Sequence, residues 1–202
     1  MHHVKKPRRK FPMFKTVRYF VTATAAVLLG VCSAAPMAHG DDDGPLYLLV
    51  DTAAQRLLTA DLVAAFKWVK GGPIEDSSRA NKVLDAAATD ARKRGLNEQH
   101  IRRIFENQIH ATEGVEYTRF GQWKFEPAVA PTSAMELTES RTAIDGFNRA
   151  MVAEMENQRD VLLGPNCATA LDAARNSVAT ARALDPLYRN ALDVATSSYC
   201  DR

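Results

Sequence analysis

The chain has 202 residues and an almost balanced charge, 26 Lys and Arg against 24 Asp and Glu. Seven of the basic residues and none of the acids lie in the first forty, so residues 41–202 carry 19 basic and 24 acidic side chains, formally −5. That excludes a nucleic-acid surface built on net positive charge, and about 160 residues suit a single domain.

Residues 1–40 read as an export signal that is cleaved. Lys5, Lys6, Arg8, Arg9, Lys10, Lys15 and Arg18 form a basic opening, and Tyr19 to Val31 is a mostly apolar run of thirteen residues. Such a run is short for a membrane span. Small residues follow at Ser33, Ala34 and Ala35 and again at Ala38 and Gly40, so cleavage falls after Gly40 or near Ala35. The alternative is an uncleaved anchor. With the signal removed, the expected product is periplasmic or secreted, without stable membrane association.

The body reads as all-α, a bundle of about six helices. Helix one covers about 46–69 and is stopped by Gly71-Gly72-Pro73. Helix two starts at the Asp76-Ser77-Ser78 capping cluster and ends at Gly95, suited to the position after a helix. Asn97 caps a long helix three reaching about Lys124. Pro127 and Pro131 mark a loop, and helix four runs from about Thr138 to Leu163. Asn166 opens a C-terminal helical hairpin whose second arm begins at Asp185-Pro186, an N-cap followed by proline at the first helical position. Cys167 opens one arm and Cys200 ends the other. Antiparallel arms bring the two together, and an exported chain favours their disulfide; two free thiols are the alternative.

Cations interrupt the apolar faces of these helices. Helix one reads Leu49, Ala53, Arg56, Ala60, Val63, Lys67 in one stripe, and eleven residues is about three turns, so Arg56 and Lys67 point the same way. Helix two offers Arg79 one turn after Asp76. Helix three carries Ile101, Phe105, Gln108, Thr112, Val115 and Arg119 in a stripe, with Glu116 one turn from Thr112. Helix four reads Leu137, Arg141, Ile144, Asn148, Met151, Met155. Convergence of these faces would gather Arg56, Lys67, Arg79 and Arg141 around one pocket with Glu116 and Thr112. Guanidinium groups match carboxylates bidentately, so a surplus of cations suits a small dianion. The competing arrangement has the cations reaching outward to surface acids such as Asp61, Glu75 or Asp145. No metal ligand set, phosphate loop or Ser-His-Asp arrangement is apparent.

Five segments in order carry a resemblance. They are Ala64-Ala65-Phe66-Lys67-Trp68, Pro73-Ile74-Glu75-Asp76-Ser77, Ala111-Thr112-Glu113 with Val115-Glu116-Tyr117, Arg141-Thr142-Ala143-Ile144-Asp145, and Ser198-Tyr199-Cys200. With them the chain, from Leu46 to Cys200, resembles the secreted, all-helical chorismate mutases of the AroQ class, gamma subtype. The resemblance implies conversion of chorismate to prephenate by an intramolecular [3,3] rearrangement, without a cofactor. It implies that Arg56, Arg79 and Arg141 bind carboxylates and that Lys67 reaches the ether oxygen. It further implies that Glu116 contacts the same oxygen as a protonated donor, that Thr112 donates to a carboxylate, and that Asp76 serves the ring hydroxyl. Val83 departs from the pattern, standing where close relatives have glutamine. The family usually forms homodimers. Rival readings of the same residues are an exported helical binding module for a dicarboxylate, without turnover, and an adaptor whose polar stripes form an interface.

Overall fold

A computed structural model describes residues 44–200. The export-signal reading of residues 1–40 lies outside them. The described residues form eight α-helices and no strand: α1 (Tyr47–Leu57), α2 (Ala60–Lys70), α3 (Ser77–Lys93), α4 (Glu98–Phe125), α5 (Leu137–Asn157), α6 (Arg159–Leu162), α7 (Cys167–Ala181) and α8 (Pro186–Ala195). A short 3-10 turn, Pro127–Val129, follows α4.

Three of the expected caps are formed. Asp76 accepts from the Arg79 amide and Asn97 from the His100 amide. Asp185 accepts from the Tyr188 amide with Pro186 behind it. Gly95, at φ 65°, closes α3 while Leu96 N–H returns to Ala91 O at 2.9 Å. Asn166 makes no side-chain cap.

Two single helices expected from sequence are each two segments. Helix one divides at Leu58-Thr59, although the backbone stays right-handed there. The Thr59 hydroxyl and the Thr59 amide both donate to Arg56 O, at 2.7 and 3.2 Å. A hydroxyl competing for a helix carbonyl and a three-residue return tighten the turn and interrupt the regular ladder. Helix four likewise stops at Asn157, and α6 continues after Gln158.

The 28-residue α4, about 42 Å long at helical rise, forms the axis. It packs against α2, α3 and α8, while α1 packs against α5 and α7. Leu49, Leu57, Phe105, Met151, Met155, Leu192 and Tyr199 are fully enclosed between them. The Cys167–Cys200 disulfide is present, with Cα atoms 5.7 Å apart. The arms it joins pack mainly on α1 and α4 rather than on each other. Their apolar positions, Leu171, Ala174 and Val178 on α7 and Leu192 and Ala195 on α8, belong to the common core.

Candidate active site

The C-terminal turns of α1 and α2, the start of α3 and the middle of α4 and α5 face one cavity of about 100 Å³. Arg56, Lys67, Asp76, Arg79, Val83, Thr112, Glu113, Glu116 and Ile144 are among its walls. Val83 and Arg79 also border a neighbouring groove of about 560 Å³ between α3 and α5.

Arg56 is only 4% exposed. Its Nε donates to Asn148 Oδ1 at 2.9 Å, and Nη1 donates to Gln108 O and Thr112 Oγ1, both at 3.0 Å. The Thr112 hydroxyl in turn donates to Gln108 O at 2.8 Å. Every one of these acceptors is neutral, and Arg56 forms no ion pair among the described residues. Burial lowers its pKa from 12.5 to about 10, which leaves it cationic at neutral pH. A buried cation without an anion is costly and attracts one from solution.

Lys67 is held from two sides. Nζ donates to Glu116 Oε2 and to Ile74 O, each at 2.7 Å. The carbonyl is delivered by the turn after α2, where Gly71 and Gly72 adopt φ 83° and 122°; other residues are strained there. Glu116 is 2% exposed. Burial raises its pKa from 4.5 to about 7, against the opposing pull of the Lys67 hydrogen bond and charge. Desolvation outweighs a direct ion pair, so near neutrality the carboxyl stands half protonated.

Arg79, one turn into α3, has its amide on Asp76 and its guanidinium on Asp145 Oδ1 at 2.6 Å. The outward pairing considered above thus holds for this cation. Asp61 and Glu75 have other partners, Arg119 and Tyr117. Val83 is buried. Arg141 is exposed at the start of α5, and the cavity wall from that helix is Ile144. Arg56, Lys67, Arg79, Thr112, Glu116, Asp76 and Val83 are therefore brought together; Arg141 is apart from them. Gln108, Asn148 and the Ile74 carbonyl were not anticipated. The first two were visible as polar interruptions of the helix-three and helix-four stripes.

A helical bundle that encloses an uncompensated guanidinium beside a lysine–carboxyl pair is an all-α protein with a cavity whose charge suits a small anion. Residues 48–117 match the family model for chorismate mutase type II. A secreted chorismate mutase of Mycolicibacterium smegmatis is 51% identical over 175 residues, covering 87% of this chain and 96% of that protein. The secreted chorismate mutase of Mycobacterium tuberculosis is 42% identical over 185 residues, covering 90% and 93%. The crystal structure of chorismate mutase from Burkholderia phymatum superposes with a TM-score of 0.75 at 29% identity, covering 81% of this chain and all of that one. The chain belongs to the chorismate mutase family and is an enzyme of that family.

Proposed function

We propose that this protein acts outside the cytoplasm and rearranges chorismate to prephenate using only side chains of the cavity. The observation that carries the reading is the buried Arg56, held by neutral acceptors alone, facing the same cavity as Lys67 and Glu116.

Chorismate is a dianion, and its reaction breaks an ether C–O bond while a C–C bond forms within the same molecule. No group need be transferred to the protein, so catalysis reduces to holding the side chain folded over the ring and stabilising charge on the ether oxygen. Arg56 takes one carboxylate, with Thr112 beside it. Arg79 takes the second, exchanging part of its contact with Asp145. Lys67 donates to the ether oxygen as negative charge develops there. Glu116, in its protonated form, donates to the same oxygen; ionised, it would repel that charge and hold Lys67 in an internal pair. Asp76 is the candidate for the ring hydroxyl. Arg141 reaches inward from α5 when the dianion enters.

A cavity of about 100 Å³ is below the roughly 300 Å³ at which ligand sites begin. The adjoining groove shares Arg79 and Val83 with it, and substrate entry opens the two into one space. Val83 leaves that wall apolar, so the polar contacts to the reacting oxygen rest on Lys67 and Glu116. Placement outside the cytoplasm, periplasmic or secreted, is supported by the disulfide, by the names of the two mycobacterial relatives, and by the reading of residues 1–40 as a cleaved signal ahead of a 41–202 enzyme domain. Among the described residues no helix is long and apolar enough to cross a membrane. A homodimer is the proposed assembly. The decisive test follows loss of chorismate absorbance with purified, oxidised protein and no additive. Turnover to prephenate supports the reading; no turnover by folded protein refutes it and leaves the dicarboxylate-binding alternative.

A further inference from the structure

Asn148 stands on α5 at the wall between the α3–α5 groove and Arg56. It is 9% exposed and lies 92 residues from the arginine in sequence. An arginine Nε only donates, so the amide oxygen must be the atom that faces it. The Nη1 end is committed to Gln108 O and Thr112 Oγ1. That leaves Nη2 with no acceptor among the described residues. Three neutral acceptors therefore fix the plane of the guanidinium without discharging it.

An asparagine and an aspartate have the same shape, and an aspartate would pair with a buried guanidinium far more strongly. Asp145, three residues away on the same helix, forms such a pair with Arg79. The oxygen at position 148 thus sits where a carboxylate would fit and would relieve the desolvated cation. It would also fill the charge that the site offers to an anion.

We propose that Asn148 is a positioning residue that orients Arg56 while leaving its charge available to a substrate carboxylate. The inference rests on the mutase reading above. It predicts that stability and function separate at this position. Asn148→Asp should melt no lower than wild type while raising KM for chorismate by about 100-fold, with kcat within about threefold because Asn148 touches no reacting atom. Asn148→Ala removes the acceptor but keeps Arg56 cationic. It should melt lower and raise KM by only about tenfold. A merely structural asparagine would give the opposite order in KM, with the alanine variant the worse of the two there as well as in melting.

The experiment is a paired one, KM and kcat from chorismate loss alongside thermal melting for the three proteins. An aspartate variant with wild-type KM, or an alanine variant with the higher KM, overturns the assignment while leaving the mutase reading intact. Wild-type protein without turnover overturns that reading and this inference with it. Should Asn148→Asp not fold, the alanine variant decides alone, and a KM equal to wild type overturns the proposal.

Discussion

Replacing Glu116 by glutamine tests the site through its proton. Burial holds the Glu116 carboxyl at about 7 rather than 4.5. If the protonated form is the donor to the ether oxygen, activity follows the protonated fraction: nearly complete at pH 5, about half at pH 7, and falling about tenfold per pH unit above that. Ionisation also ties Lys67 to Glu116 at 2.7 Å, which works in the same direction. Glu116→Gln keeps an N–H donor at every pH, so its kcat/KM should be flat across the range where wild type declines. Stability supplies an independent reading of the same proton. The folded carboxyl retains a proton that the unfolded chain releases, so folding stability decreases as pH rises from about 4.5 to about 7. At about 1.4 kcal/mol per pH unit the loss is about 3 kcal/mol, and it should vanish in the glutamine variant. Stopped-time assays of chorismate loss and denaturant melts at matched pH give both curves. A wild-type rate that stays level from pH 5 to pH 8.5, or a glutamine variant that keeps the decline, refutes the protonated-donor reasoning.

Lys67→Ala should lower kcat/KM by about 10² to 10³, the worth of one preorganised donor, while its melt stays near wild type because the buried Glu116 becomes neutral; a loss below tenfold removes Lys67 from the chemistry. Arg141 is exposed and supports no core packing, so Arg141→Ala should leave melting unchanged and reduce kcat/KM at least about tenfold through substrate binding alone; unchanged kinetics would place it outside the site. Reducing the Cys167–Cys200 bond, which spans 33 residues, should cost about 3–4 kcal/mol and lower the melting temperature by about 10 °C; a melt indifferent to reductant would contradict this.

Local chemistry made much of the fold legible. Asp76, Asn97 and Asp185 cap the helices expected of them, because capping depends on a side chain and an amide three residues away. The break at Leu58-Thr59 was hidden, since threonine is compatible with a helix and its hydroxyl reveals its acceptor only in three dimensions. Helix periodicity correctly turned Arg56, Lys67, Thr112 and Glu116 toward one cavity. It could not tell that Arg141, at the frayed edge of an apolar stripe, would face solvent while Asn148, two turns on, would face Arg56. Stripe membership gives an angle around a helix, whereas burial depends on which neighbour lies at that height. The hairpin arms show the same limit, since they are closed by their disulfide yet pack mainly on other helices.

The floor beneath Arg56 comes from the end of the chain. Gln108, whose carbonyl receives the guanidinium, sends its side-chain amide to Ala195 O at 3.1 Å and to the Tyr199 hydroxyl at 3.4 Å. Tyr199 is fully buried next to Cys200. During synthesis, when residues emerge in order, Arg56, Lys67 and Glu116 are all made long before this support exists. A nascent or truncated chain that stops short of α8 carries Arg56, Lys67 and Glu116 without the contacts that hold Gln108 beneath the first of them. The aim of Arg56 therefore depends on the packing of α8 and the turn after it, far along the chain from the arginine itself.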